Sequence, residues 1–201
     1  MTGPPVACEF SAATLFESGA AGPMASQIGP LVASWRVAGP AFTVALPAGH
    51  NIWLHRAVYA AQPGDVLVVS TGGGSEFGYW GEVLTHAARE AGLAGLVIDG
   101  CVRDASQLRA AGFPVFARGL CVRGTGKNGQ LGGGLGQQIE VGGCTVEPGD
   151  LIVGDEDGVV LVPGERAAEV MHRAHSRVAA EAVILERIAA GASTLDLYGL
   201  A

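Results

Sequence analysis

Gly72-Gly73-Gly74-Ser75-Glu76-Phe77-Gly78-Tyr79-Trp80-Gly81-Glu82-Val83-Leu84 opens the stretch that decides the fold, and Leu96-Val97-Ile98-Asp99-Gly100-Cys101-Val102-Arg103-Asp104 closes it. A glycine-rich loop feeds a helix N-terminus, and an apolar strand then delivers an Arg-Asp pair. The helix start, with its free N–H groups and positive dipole end, suits an anion. Arg103 offers a cation that can grip a carboxylate with two parallel hydrogen bonds. Asp104 offers a carboxylate for a metal. Together they describe a site for a small acidic substrate and a divalent ion.

Outward from this stretch, strands and short helices alternate. Residues 81–91 predict a helix, with Val83, Leu84, Ala87, Ala88 and Ala91 on one face and Gly92 as the residue that ends it. Leu93 to Ile98 reads as a buried strand ending near Asp99-Gly100. Ala105 to Ala111 reads as a short helix closed by Gly112, and Phe113 to Ala117 as a strand. Pro63-Gly64-Asp65 before Val66-Leu67-Val68-Val69 is a turn meeting an apolar strand. The same unit recurs at Pro148-Gly149-Asp150 before Leu151-Ile152-Val153. Arg36 to Leu46 and Gly158 to Val162 have strand character, and Gln137 to Val141 is a further strand in a glycine-dominated stretch. Asn51 to Ala60 predicts a short helix, and residues 9–34 a helix and an ordered loop. One long amphipathic helix runs from Glu165 to about Ala190, with an apolar tail, Leu195-Asp196-Leu197-Tyr198. This alternation predicts the α/β class.

The chain has 201 residues, enough for one domain with a full core. Only 15% is charged, against a usual quarter, so part of the surface is expected to be buried in an oligomer. A net charge of −7 and a single lysine, Lys127, argue against a nucleic-acid footprint, which needs a basic stripe. Cys8, Cys101, Cys121 and Cys144 form no Cys-x-x-Cys pair and read as reduced thiols of a cytoplasmic protein. No basic leader precedes an apolar run, so no signal peptide is expected. No apolar stretch approaches the ~20 residues that a membrane helix needs.

Each site residue also has a plainer reading. Gly72-Gly73-Gly74 lacks the Gly-Lys-Ser/Thr of a P-loop and the spacing of a dinucleotide fingerprint, and could be a tight turn. Asp104 stands where an N-cap would stand, and Glu82 could simply complement a helix dipole. A single carboxylate chelates weakly. That suits magnesium, which keeps several waters and borrows ligands from substrate. The five histidines (His50, His55, His86, His172, His175) form no zinc cluster with the cysteines.

The motifs Gly72-Gly73-Gly74, Trp80-Gly81-Glu82, Ile98 to Asp104 and Gly112 to Gly119 resemble the RraA-like family. That family joins the regulator of ribonuclease activity A to the class II 4-hydroxy-4-methyl-2-oxoglutarate / 4-carboxy-4-hydroxy-2-oxoadipate aldolases. Val37 to Ala41, Asn51, both Pro-Gly-Asp turns and Gly154 to Val160 extend the likeness over nearly the whole chain. The resemblance implies a single domain over residues 1–201, an α/β sandwich of the swivelling phosphohistidine-domain type with a long C-terminal helix. It implies a homotrimer, or a hexamer of two trimers, with sites between subunits. The helix at about 165–190 and the tail 191–201 would pack on a neighbour.

The family's acid–x20–Arg-Asp motif falls on Glu82, Arg103 and Asp104, with glutamate where the pattern usually has aspartate. By resemblance, the N–H groups of Gly81, Glu82, Val83 and Leu84 hold the substrate carboxylate. Arg103 touches the substrate, Asp104 ligates Mg2+ or Mn2+, and Glu17 and Glu181 reach a neighbour's site. The implied reaction is retro-aldol cleavage of a 4-hydroxy-2-oxo di- or tricarboxylic acid to pyruvate. In it, a water on the ion, oriented by Glu82, takes the C4 hydroxyl proton. Oxaloacetate decarboxylation would be a side activity. The partner is then a small 2-oxo acid, with neither nucleic acid nor membrane. The alternative from the same family is a protein inhibitor of a ribonuclease E-like enzyme. Gly132-Gly133-Gly134 and Gln137-Gln138 depart from the family text in the 126–138 loop.

Overall fold

The two Pro-Gly-Asp turns show how local sequence sets this fold. In the computed structural model, which describes residues 9–200, Gly64 and Gly149 take positive φ (92° and 89°). Each following aspartate accepts a hydrogen bond from the N–H of the residue that opens its turn: Gln62 to Asp65 at 2.8 Å, Glu147 to Asp150 at 2.9 Å. A Cβ at either glycine would be strained in that conformation. Each turn launches a strand, and both strands lie beside the same partner.

In chain order the elements are α1 (Ala12–Glu17), β1 (Gly22–Pro23), β2 (Gly29–Pro30), β3 (Val37–Ala45), α2 (Ile52–Ala60), β4 (Val66–Ser70) and β5 (Gly78–Trp80). There follow α3 (Glu82–Glu90), β6 (Gly95–Val102), α4 (Ala105–Ala111), β7 (Val115–Leu120), β8 (Gly134–Leu135), β9 (Ile139–Val141) and β10 (Cys144–Val146). The chain ends in β11 (Leu151–Asp155), β12 (Gly158–Val162), a 3-10 turn at Gly164–Arg166, α5 (Ala167–Ala189) and α6 (Thr194–Leu197).

One ten-stranded sheet runs β1-β12-β11-β3-β4-β6-β7-β2, with β5 on β6 and β8 on β3, and β9–β10 form a separate hairpin. Strand β3 is the corner. Its first half pairs antiparallel with β11 (Val37 to Pro40), and its second half pairs parallel with β4 (Ala41 to Ala45). The sheet curls there, and alternation sorts the side chains. Leu67, Val69, Leu96 and Ile98 face α2, α3 and α4, whereas Val66, Val68 and Val97 face Ile152, Val159 and Leu161 across the curl. On the far side Val153, Val160 and Val162 pack against Phe10, Leu15, Val170 and Ala174, burying one side of α1 and α5. The result is a mixed α/β domain with a curled sheet and a C-terminal helix.

Two expectations change. Strand β6 does not end near Asp99-Gly100 but runs to Val102. Gly78 and Trp80 of β5 pair with Cys101 and Val102, and that added partner extends the strand. The glycine loop therefore does not feed a helix directly, because β5 lies between it and α3. Cys8 lies outside the described residues.

Candidate active site

Strands β5 and β6 run parallel and end side by side, which brings Gly81 and Asp104 together. The Arg103 N–H donates to Trp80 O at 2.8 Å, closing the pair. Gly81 is the N-cap residue of α3 and has no side chain to satisfy the first-turn N–H groups. Asp104 supplies one partner from outside: the Glu82 N–H donates to its Oδ2 at 3.0 Å. A Cβ on Gly81 would run into that same carboxylate, so glycine is what admits it.

Asp104 is the N-cap of α4 in position only. Its side chain makes no bond to its own helix. Its backbone is left-handed (φ 60°, ψ 41°), and no other non-glycine residue among those described has positive φ. Such a conformation costs about 1–2 kcal/mol in an L-residue and gathers at functional sites. The Arg103 Nε stands 4.0 Å from Asp104 Oδ2, with both side chains partly exposed.

A cavity of about 180 Å³ opens at this corner. Gly81, Val83, Leu84, Arg103 and Asp104 line it, together with Asn51, His55, Tyr79 and Lys127. Glu82 does not line it: the residue is exposed, and its amide is already taken by Asp104. The Val83 and Leu84 amides, in the helix's first turn, have no acceptor four residues back within the helix. Gly72, Gly73 and Gly74 do not line the cavity. Gly72 lies against Leu46 O, and Gly74 against Ala48 and Tyr79, whose hydroxyl donates to Gly74 O at 2.5 Å. The plainer reading, a packed turn, fits this loop. Glu17 and Glu181 lie on α1 and α5, both ion-paired to Arg177 and both away from the cavity lining of their own chain.

Lys127, His55 and Tyr79 had no motif to announce them. The Asn51 Nδ2 donates to Tyr79 O at 2.9 Å, and its Oδ1 is buried without a partner. His55 has its pKa lowered, first by burial and then by the charge of Lys127. Asp104 is the only carboxylate on the lining, against the two fixed cations Arg103 and Lys127. Among the described residues no group of three or more His, Cys, Asp or Glu could hold a metal. An ion at this corner would meet one carboxylate on the lining, Asp104. That fits a hard cation keeping most of its waters and does not fit zinc.

A curled α/β domain thus sets a half-open carboxylate, an arginine and a helix start around one small cavity. The family model described as Aldolase/RraA matches residues 10–161, and the chain belongs to this RraA-like family. A Halalkalibacterium halodurans protein named "Putative 4-hydroxy-4-methyl-2-oxoglutarate aldolase" is 37% identical over 156 residues, 78% of this chain and 73% of the relative. Among solved structures, RraAS2 of Streptomyces coelicolor, described as an unusual member of the RNase ES inhibitor RraA family, superposes with a TM-score of 0.75. It has 31% identity and covers 89% of this chain and 93% of its own. The RNA-processing inhibitor RraA of Thermus thermophilus gives 0.70 at 27% identity, over 78% and 94%.

Proposed function

We propose that this protein is a divalent-metal-dependent aldolase that cleaves a 4-hydroxy-2-oxo di- or tricarboxylic acid to pyruvate, with oxaloacetate decarboxylation as a side activity. The observation that carries this reading is the strained, half-open Asp104 carboxylate on the wall of a cavity it shares with Arg103 and the start of α3. Asp104, assisted by Glu82, would hold Mg2+ or Mn2+, which supplies Lewis acidity at the 2-oxo acid end.

The chain's own groups do the rest. The Val83 and Leu84 amides hold the substrate's 1-carboxylate at the positive end of the α3 dipole. Arg103 donates to the 2-oxo oxygen, where negative charge grows as the C3–C4 bond breaks and its electron pair moves onto C3. Glu82 orients a water that takes the C4 hydroxyl proton, and C3 of the enolate is protonated to give pyruvate. Lys127 takes no part as a Schiff base, since the chemistry needs none.

The same reading assembles the chain as a homotrimer or a pair of trimers. Val183, Leu185, Leu195 and Tyr198 on α5 and the tail are exposed, and a second copy of this chain would cover them. Glu17 and Glu181 would then turn to that copy's site. The reading also takes the curled sheet as that of a swivelling phosphohistidine domain, and the protein as cytoplasmic. Among the described residues no helix is long and apolar enough to cross a membrane.

The test is pyruvate release with added magnesium, followed by coupled reduction to lactate. Asp104→Ala is expected to lose about 10³-fold in turnover, the scale of removing one aligned electrostatic group from a transition state. Undiminished turnover would end the assignment. The solved relatives described as RNA-processing inhibitors favour a second reading, a protein that binds and inhibits a ribonuclease E-like enzyme. Inhibition of such an enzyme by the Asp104→Ala variant, with no aldolase activity in the wild type, would select it.

A further inference from the structure

We propose that His50 is a positioning residue that acts as a latch: its neutral ring holds down the strap that brings Lys127 to the cavity wall, and a proton on the ring lets that strap go. The inference concerns where Lys127 stands, so it is independent of the reaction assigned to the cavity.

The strap is fastened at both ends. At its start the Gly126 N–H donates to Gly49 O at 2.8 Å, and the Asn51 N–H donates to Gly126 O at 3.0 Å. At its far end β8 pairs with β3, and the Gly136 N–H donates to Thr43 O at 3.0 Å. Between them, from Lys127 to Gly133, every residue is exposed. Among the described residues, one hydrogen bond from this span reaches another segment: the Asn128 N–H donates to His50 Nδ1 at 3.3 Å. The Gln130 N–H turns inward instead, onto Asn128 Oδ1 at 3.0 Å. The middle of the strap therefore hangs on one ring nitrogen. The ring is well placed for this. His50 and Gly126 form a parallel bridge, and a Cβ at Gly126 would strike the ring at Nδ1 and Cε1. Lys127 sits between the residue that the ring rests on and the residue that it bonds, and it lines the cavity.

The bond to Nδ1 needs a lone pair there. A neutral imidazole offers one; an imidazolium carries N–H on both nitrogens and accepts nothing. Histidine is the side chain that ordinarily makes this change between pH 5 and 8. The sign follows directly: the latch holds in the neutral form, above that range, and is lost as the pH falls through it. The segments around His50 carry Arg123 and Lys127 on the strap, His55 and Arg56 on α2, and Glu76 and Tyr79 beyond Gly49, whose N–H donates to the Tyr79 hydroxyl at 2.8 Å. Glu76 is the one acid among these, and among the described residues His50 makes no ion pair. A proton on the ring thus removes a bond and sets a cation beside a strap that itself carries two, and both effects favour opening. In acid the cavity wall gives up Lys127 and keeps Arg103.

The experiment uses the fact that Lys127 is the chain's single lysine. A lysine-specific endoprotease can cut this protein at one bond only, Lys127–Asn128, inside the strap, and cutting follows local opening. The cleavage rate of the whole protein is read by mass spectrometry at about pH 8 and about pH 5.5, on either side of the histidine range, and divided by the rate on a short lysine peptide under the same conditions. The normalised rate of the wild type is expected to rise about 5-fold as the pH falls, the scale of losing one hydrogen bond. His50→Asn, whose Oδ1 can stand near the place of Nδ1 and takes up no proton, should keep the slow rate at both pH values. His50→Ala should show the fast rate at both. A wild-type rate that does not change with pH overturns the inference, and needs no variant to fold. So does a rise that persists in His50→Asn or His50→Ala, which would put the titrating group elsewhere. Failure of pyruvate release would remove the aldolase reading and leave these rates as they are.

Discussion

Two aspartates in this molecule cap helices to which they do not belong, and they do so in opposite settings. Asp155, in β11, accepts the Ala12 N–H of α1 on Oδ2 at 2.8 Å and the Asp157 N–H on Oδ1 at 3.1 Å. Its side chain is 3% exposed, and Arg36 stands 3.8 Å away. Asp104 accepts the Glu82 N–H of α3, but its side chain is 39% exposed and its backbone is left-handed. The first carboxylate is buried, takes a hydrogen bond on each oxygen and sits on unstrained backbone; its bonds serve the fold. The second has spare acceptor capacity beside a cavity and a backbone that costs energy to hold. Capping α3 alone would not need that strain, because a side-chain cap at position 81 would serve as well. On the proposed function, the difference is that between a structural carboxylate and a working one.

That comparison can be broken. Beyond the loss of turnover expected for Asp104→Ala, the next largest effect falls on Asp155. Asp155→Ala should cost about 2 kcal/mol of folding stability, by stranding the Ala12 and Asp157 N–H groups, read in urea unfolding. Its activity per folded molecule should stay near wild type; a specific loss of turnover there would erase the distinction. Gly81→Ala places a methyl group where the Asp104 carboxylate sits. It should lower pyruvate release about 10-fold or more while shifting stability by roughly 1 kcal/mol, since the carboxylate can swing towards solvent. The smallest effect is the most diagnostic. Asp104→Asn keeps an acceptor for the Glu82 N–H and suits the left-handed backbone slightly better, so its thermal midpoint should equal or exceed that of the wild type while turnover falls. A midpoint several degrees lower would mean that the charge itself holds the fold.

Much of the fold was legible because it is locally encoded. The helix at 81–91 declared itself by period and by Gly92, which takes φ 73° where the chain must leave the helix. Gly158 to Val162 is a strand as its apolar run requires. Arg103 and Asp104 could be picked as a pair because they follow a buried strand in an α/β chain. The glycine triplet misled because a positive φ serves packing as readily as anion binding, and the spacing looks the same in either role. Lys127 carried no motif: a lysine in a glycine-rich loop has no periodicity, and only the tertiary structure puts it on the cavity lining.

The amino-acid order alone therefore settled the turns, the helix limits and the strand alternation. Backbone dihedral demands and side-chain periodicity act over a few residues and need no distant partner. It also settled the presence of an acid, an arginine and an aspartate in family spacing. What Asp104 caps, which amides stay free, and which cation shares the cavity were decided by the tertiary structure. Each depends on where β5 and β6 end together and on how the 126–128 strap closes over α2, contacts between segments that no local pattern specifies.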